Sequence, residues 1–293
     1  MAPEAMALAI ITFLGATVNG GLGYGFSSIT VPLALFFYTN RVLNPALVLL
    51  EVALNGYMLW NNRSAVLGVG RRVWPIMVGL APGVIVGTSV VYLVSPGWVK
   101  FATFAVLIPL LLVQAGGLRR PIRYERSAGL ALGGGVGALY SVTTISGPPL
   151  ALMFNNQGYT KQEFRAGLAL VRLAESSMTA VAYMYAGMFT SRSVALIPLI
   201  IPSVLLGIPL GAYIIRHVRL ETFRRLCMSF DAWIVGFGMS MVLNELQLVE
   251  GAAAYLVLAV VGSIDMYLLY RFFANPRIAP AAIGDMSAMR PDH

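Results

Sequence analysis

The stretch Pro32-Leu33-Ala34-Leu35 in the first half of the chain returns as Pro149-Leu150-Ala151-Leu152 in the second half. Each copy follows a glycine-rich stretch, at residues 20–25 and 133–137. Further residues match at a slightly longer spacing: Arg41 with Arg165, Glu51 with Glu175, Lys100 with Arg224, and Gly83 and Gly87 with Gly207 and Gly211. A single insertion near residues 156–162 accounts for the change of spacing. The ordered matches therefore predict a duplicated chain.

The composition identifies the duplicated unit as a membrane domain. Of the 293 residues, 58% are hydrophobic and only 11% are charged, and the mean hydropathy is +0.78. A spanning helix needs about 20 mostly apolar residues. Candidate spans lie at residues 73–94, 99–113, 168–188, 194–215 and 252–272. A β-barrel is excluded because its strands alternate apolar and polar residues, so we predict an all-α integral membrane protein.

The duplication and the basic clusters divide the chain into five segments. We predict membrane repeat 1 at 1–118, a basic cytoplasmic linker at 119–126, membrane repeat 2 at 127–243, an extra transmembrane helix at 244–273 and a cytoplasmic tail at 274–293.

The positions of the basic residues predict the orientation of the two halves. Lys and Arg beside membrane spans concentrate on the cytoplasmic side, and the linker alone carries four arginines. An odd number of crossings in each half keeps nearly all bases inside. An even number would move the clusters at 216–225 and 271–290 outside. We therefore predict two inverted repeats with a cytoplasmic C-terminus.

An odd number of crossings requires one short element in each half to turn the chain back. The stretches Ser27–Tyr38 and Ile145–Asn155 are too short for a comfortable span at about 1.5 Å per residue. We predict that each forms a broken or re-entrant helix. Inverted repeats with broken helices are typical of secondary transporters.

The starts of these short helices predict an anion site. Free N–H groups, hydroxyls and the positive end of the helix dipole all favour an anion. The alternative is that the glycines serve close helix packing and the prolines only kink the chain. An amide at the end of the second element either binds ligand oxygens or caps the helix. The candidate substrate-binding residues are Ser27, Ser28, Thr30, Thr144, Ser146, Gly147 and Asn155.

Charged residues inside the spans supply the remaining candidates, because such charges are costly and usually functional. Arg172 and Glu175 lie three apart on one helical face and can pair directly. The pair is either structural, or Arg172 binds the substrate while Glu175 and Glu51 relay protons or gate. Arg41 and Arg165, ten positions before the glutamates, either snorkel to the interface or guard the anion path.

Two further acids inside the spans, Asp231 and Asp265, have no counterparts in the repeat, so structural pairing or a place near the interface is predicted for them. With one cysteine and two histidines, the chain is predicted to hold no metal and no cofactor. The formal net charge of +8 belongs to membrane-flanking loops, so no nucleic-acid partner is expected. No Ser–His pair or cofactor loop lies within the spans, and an enzyme is therefore not predicted.

The glycine-rich stretch before Ser146-Gly147-Pro148-Pro149-Leu150, the later Phe164-Arg165-Ala166 and the glutamate-bearing helix, set in a twofold repeat, resemble the sulfite exporter TauE/SafE family. The resemblance covers roughly residues 7–272. It implies a bacterial inner-membrane carrier for anions such as sulfite, sulfoacetate, sulfolactate or an aromatic sulfonate, with export and uptake both known in the class. The first repeat departs from the pattern, since residues 27–32 lack the Gly-Pro-Pro.

We therefore expect a secondary transporter that moves a small sulfur-containing anion by alternating access. Its expected partners are the anionic substrate and the lipid bilayer, with coupling to protons or sodium and a homodimer left open. The alternatives are an anion channel, a carboxylate transporter on the same fold, and an assembly or lipid-interaction protein. Export of an anion gains about 2.3 kcal/mol per charge per 100 mV, whereas uptake needs coupling, for which Glu51 and Glu175 are the candidates.

Overall fold

The computed structural model describes residues 3–116, 125–155, 160–218 and 220–274. Within these ranges every regular element is helical, as the sequence predicts. Two 3-10 turns, Arg63–Ala65 and Gly251–Tyr255, join longer helices. The helices are α1 Pro3–Leu22, α2 Phe26–Ala34, α3 Asn40–Asn61, α4 Val66–Leu93, α5 Pro96–Ala115, α6 Glu125–Thr143, α7 Gly147–Asn155, α8 Lys161–Tyr185, α9 Ser191–Ile214, α10 Leu220–Glu245 and α11 Leu256–Ala274.

Seven helical segments in the described ranges are long and apolar enough to cross a membrane: those of α1, α3, α4, α5, α9, α10 and α11. The chain is therefore a multi-pass membrane protein. The helix α8 carries five charged side chains and falls outside this set. Its charges near the middle of the helix, Arg172 and Glu175, are buried between helices, where a membrane protein can satisfy them.

The short helix α2 folds back along the end of α1. Two glycines with left-handed backbone, Gly23 (φ 82°) and Gly25 (φ 104°), form the turn between them, a conformation that costs glycine little. A Cβ on Gly15 of α1 would overlap the carbonyl of Phe26 and the hydroxyl of Thr30. The close approach makes α1 and α2 a tight helical hairpin.

The counterpart α7 also has nine residues, and each half therefore holds one short helix where the sequence predicts one. Its start follows Thr144, a non-glycine residue with φ 55°. The Pro-Leu-Ala-Leu match does not superimpose the two helices. Pro149 occupies the first turn of α7, whereas Pro32 lies inside α2 and removes a helical hydrogen bond there. The motif therefore lies about one turn nearer to the start of the helix in α7 than in α2.

The two halves interlock through their first and fourth helices. In the contact of α1 with α9, the Ser203 hydroxyl donates to Ala9 O at 2.9 Å, and Gly211 lies against Thr17 and Gly21. The residue numbers of the contacting pairs increase in the same direction along both helices, so the two helices run parallel.

The contact of α6 with α4 repeats this arrangement, with Gly79 against Leu130 and Gly87 against Ser141. The first helix of each half therefore packs against the fourth helix of the other half. Between these pairs, α3 packs against α8.

The additional helix α11 packs on α10 through a buried acid. Asp265 accepts hydrogen bonds from Arg225 Nη2 at 2.9 Å, Ser229 Oγ at 3.2 Å and Trp233 Nε1 at 3.2 Å. The prediction of a structural partner is confirmed for Asp265. For Asp231, Oδ1 has no hydrogen-bond partner in the described part of the chain.

The predicted domain boundaries remain predictions. Most of the linker at 119–126 and nearly all of the tail at 274–293 lie outside the described residues. The extra helix predicted at 244–273 corresponds to α11, which begins at Leu256 because α10 continues to Glu245 and a 3-10 turn follows.

Candidate functional site

The contact of α3 with α8 brings an arginine of one half onto a glutamate of the other. Arg172 Nη2 donates to Glu51 Oε1 at 3.0 Å, and the side chains are 4% and 0% exposed. The repeat position of Arg172 is occupied in α3 by Val48, a buried apolar residue. The site therefore has one guanidinium and no symmetric second one.

Glu51 accepts hydrogen bonds from two further helices. The Ser27 hydroxyl, at the start of α2, donates to Oε1, and Tyr140 of α6 donates to Oε2 at 2.7 Å. With Arg172, three donors surround this carboxylate. The acceptor oxygens of Glu51 are thus satisfied by one charged and two neutral donors.

Glu175 has the equivalent partner but fewer donors. The Ser146 hydroxyl, which precedes α7, donates to Oε1, and Oε2 has no hydrogen-bond partner within the described ranges. The pairs Ser27 with Glu51 and Ser146 with Glu175 are equivalent contacts in the two halves. Each joins the start of a short helix to the middle of a long one.

The prediction that Arg172 pairs directly with Glu175 is wrong, because the partner of Arg172 is Glu51. Arg172 and Glu175 both lie on α8, but the hydrogen bond of Arg172 goes across to α3. The crossing of α3 over α8 brings Glu51 to the guanidinium, whereas Glu175 points toward Ser146. The ion pair therefore ties the two halves together instead of stabilising one helix.

Several buried polar atoms next to this pair have no protein partner in the described part of the chain. They are Arg172 Nε, Glu175 Oε2 and Thr179 Oγ1 on α8, and Asn55 Nδ2 on α3. Buried polar groups are almost always hydrogen-bonded in proteins. Several buried polar atoms without a partner, close together along the contact of α3 with α8, are typical of a binding site.

The two short helices differ in the backbone donors that they can offer. In α2 the first helical bond runs from Ile29 N to Gly25 O at 3.4 Å, so the N–H groups of Phe26, Ser27 and Ser28 have no partner within the helix. In α7 two of the first three residues are prolines, which have no N–H. The expected row of free donors is therefore present in α2 and reduced in α7 mainly to Gly147.

The other predicted binding residues differ in whether their polar groups are free to bind a ligand. Thr30 is fully buried and its Oγ1 has no partner among the described residues, and Ser28 is buried beside it. Thr144 instead donates its hydroxyl to Thr143 O at 2.7 Å, so that group is engaged by the backbone. A Cβ on Gly147 would lie 3.1 Å from the Tyr24 ring. The side chain of Asn155 lies outside the described residues.

The two arginines near the helix ends have different surroundings. Arg41 donates from Nε to Val91 O at 2.9 Å and from Nη2 to Tyr92 O at 2.6 Å and Val94 O at 2.9 Å. It therefore caps the C-terminal end of α4. Its counterpart Arg165 makes no hydrogen bond or ion pair within the described ranges and lines a cleft of about 270 Å³.

Tyr140 is the residue of the site that sequence reasoning missed. Its only signal is its place in the glycine-rich helix six residues before Ser146. A tyrosine in an apolar helix is ordinarily taken for packing, and its hydroxyl partner, Glu51, lies in another helix.

The helices define a multi-pass membrane protein with a buried polar site between two short helices. The chain belongs to the sulfite exporter TauE/SafE family, whose sequence model matches residues 8–243. The match ends before α11, which lies beyond the family's common region. Comparisons with curated proteins and with solved structures gave no match.

Proposed function

We propose that the protein is a secondary transporter that carries a small sulfur-containing anion, such as sulfite, sulfoacetate or another sulfonate, across the bacterial inner membrane. The observation that carries this proposal is Arg172, a buried guanidinium whose Nε has no partner in the described part of the chain. Guanidinium groups bind oxyanions through parallel hydrogen bonds.

The proposed site extends from Arg172 to the start of α2. A sulfonate or sulfite has three oxygens, and the N–H groups at residues 26–28 with the hydroxyls of Ser28 and Thr30 supply donors of the required kind. Ser146 and Gly147 would complete the site from the second half.

Binding of the anion is tested by ligand-induced stabilisation of the purified protein. Those of sulfite, sulfoacetate, taurine and isethionate that the site accepts should raise the melting temperature, in the order of their affinities at equal concentration, because they bind the native state only. Matched carboxylates of the same size are the control for substrate class. Stabilisation by the carboxylates alone would favour the carboxylate transporter, and proteoliposome currents far above carrier turnover would favour the channel.

We further propose that the two halves have opposite orientations in the membrane, with the C-terminus in the cytoplasm. The parallel packing of α1 with α9 and of α4 with α6 supports this. Because α4 returns toward the side where α1 begins, a helix parallel to α4 is antiparallel to α1.

The orientation can be measured by cysteine labelling in a Cys227→Ser background. Cysteines at Ser64 and Val218 should react only from the cytoplasmic side, and a cysteine at Ser191 should react with an impermeant reagent in intact cells. All three positions are exposed. Labelling of Val218→Cys from outside would contradict the inverted arrangement.

Arg41 and Arg165 are proposed as alternating gates. In this structure Arg41 holds the end of α4, and the repeat-related segment for Arg165 is the end of α9 at residues 215–218. Ile208 and Ala212 of α9 line the Arg165 cleft. In the opposite state of the transport cycle, Arg165 would hold the end of α9 and Arg41 would be released.

The gate proposal predicts different effects for the two arginines. Arg41→Gln should cost about 1.5–3 kcal/mol of stability, since it removes charged hydrogen bonds. Arg165→Gln should leave thermal stability unchanged and strongly reduce flux into proteoliposomes. Arg192→Gln, at an exposed position, is the control. Full flux in Arg165→Gln would exclude this gate.

A further inference from the structure

The central site contains more acid than base. Glu51 and Glu175 are 0% exposed and Arg172 is 4% exposed. With both carboxylates ionised the group would carry a net negative charge away from water, which is strongly unfavourable. The hydrogen bonds place that charge unequally, because Glu51 has the guanidinium and two hydroxyl donors while Glu175 has a single hydroxyl.

Among the residues that the structure describes, the surrounding helices bring no other charged side chain to this group. The neighbouring elements contribute the hydroxyls of Ser27, Tyr140 and Ser146, and the hydroxyl of Tyr183 donates to Ser141 O. The described charged residues on the other helices that pack against α3 and α8 lie nearer the helix ends: Arg71 and Arg72 on α4, Lys100 on α5 and Arg192 on α9. Asp231 is on α10, which packs against α2.

We propose that this site binds its anion together with one proton, and that it therefore selects monoanions. The inference rests on the proposed function and specifies its coupling ion and substrate charge. In the empty site, Arg172 and Glu51 are the ion pair and Glu175 carries a proton. The three groups then sum to zero.

An anion bound at the free Nε of Arg172 shares the single positive charge of this guanidinium with Glu51, which is held at Nη2. With the anion and an ionised Glu51 both present, the buried group would carry a net negative charge. Glu51 therefore takes up a proton as the anion arrives. The loaded site, with Arg172, a monoanion and two protonated glutamates, is again neutral.

The same count limits the charge of the substrate. Once both glutamates are protonated, no carboxylate in the group can take up a further proton. A second negative charge on the substrate would therefore stay uncompensated. A dianion such as sulfate, or sulfoacetate with its carboxylate ionised, is therefore rejected, whereas singly charged sulfonates such as isethionate, and hydrogensulfite, are accepted. Transport of one monoanion with one proton moves no net charge, so the membrane potential does not drive it.

The test is calorimetric titration of the purified protein with isethionate, a monoanion, and with sulfate, a dianion. Titrations in two buffers of different ionisation enthalpy give the number of protons taken up. We expect one proton per isethionate and no binding of sulfate. The affinity for isethionate should fall about tenfold per pH unit where Glu51 is ionised in the empty site, as one-proton linkage requires.

Two variants distinguish the glutamates. The double variant Glu51→Gln with Glu175→Gln should bind isethionate without proton uptake and with an affinity independent of pH, because neither position can then take up a proton. Glu175→Gln should keep the uptake of one proton, since glutamine replaces an acid that is already protonated. Glu250→Gln, in an exposed loop, is the matched control and should behave as the native protein.

The outcomes separate this inference from the proposed function. Binding of isethionate with no proton uptake by the native protein overturns the inference and leaves the anion site intact. Sulfate binding as tight as that of isethionate overturns the monoanion rule. If isethionate, sulfoacetate and sulfite all fail to bind, the proposed function fails and the inference with it. If the double variant does not fold, the native protein and Glu175→Gln still decide.

Discussion

Replacing Arg172 by glutamine is expected to abolish transport of the sulfur anion and to lower thermal stability at the same time. The guanidinium is the partner of Glu51 across the two halves. Removing one member of a buried ion pair leaves the other charge uncompensated, which commonly costs about 3–5 kcal/mol. The stability loss should appear in thermal unfolding, and the transport loss in proteoliposomes reconstituted at equal protein content.

The double variant Arg172→Gln with Glu51→Gln separates the two effects. It removes both charges, so stability should return close to that of the native protein. Transport should not return, because a neutral amide cannot replace a guanidinium that contacts sulfonate oxygens. Arg192→Gln is the control for loss of a positive charge elsewhere. Recovery of transport in the double variant would show that Arg172 is structural only.

The second large effect is expected where the halves interlock. A Cβ on Gly211 would overlap the carbonyl of Thr17, and a Cβ on Gly87 would overlap Ser141 and the carbonyl of Ala138. Backbone atoms cannot rotate away as side chains can. Gly211→Ala and Gly87→Ala should therefore each cost about 3 kcal/mol or more, at the upper end of overpacking effects.

The yield of monodisperse protein and its melting temperature check this prediction. Gly68→Ala in α4 is the matched control, because a Cβ there meets nothing within 4 Å. It should be neutral or slightly stabilising, since alanine favours a helix by about 1 kcal/mol over glycine. Equal stability of Gly68→Ala and Gly211→Ala would mean that α1 and α9 can separate at little cost.

The helical fold was predictable because it depends on local properties of the chain. Continuous apolar stretches predict spanning helices, and the paired short stretches predict α2 and α7. Glu51 and Glu175 were identified because a charge in an apolar span is rare. The partner of Arg172 was not predictable, because spacing along one helix favours Glu175 and only the crossing of α3 with α8 brings in Glu51.

Two further differences have separate physical reasons. The loss of donors at α7 was readable from Pro148 and Pro149, which have no N–H, so the Gly-Pro-Pro start provides few backbone donors. Arg41 could not be assigned from the sequence. The carbonyl groups that Arg41 contacts lie about fifty residues later in the chain. The repeat alone predicts the same surroundings for Arg41 and Arg165.

The exchange of first helices between the halves has a consequence for how the protein is made. As the chain is synthesised, α1 enters the bilayer long before α9 exists, so its glycine face remains against lipid or the insertion machinery. The first half is therefore not an independent folding unit, and neither half can be completed before α9 is in place. The final fold therefore forms in one late step, after α9 has been synthesised. In that step the two parallel helix pairs pack around a site to which both halves contribute residues.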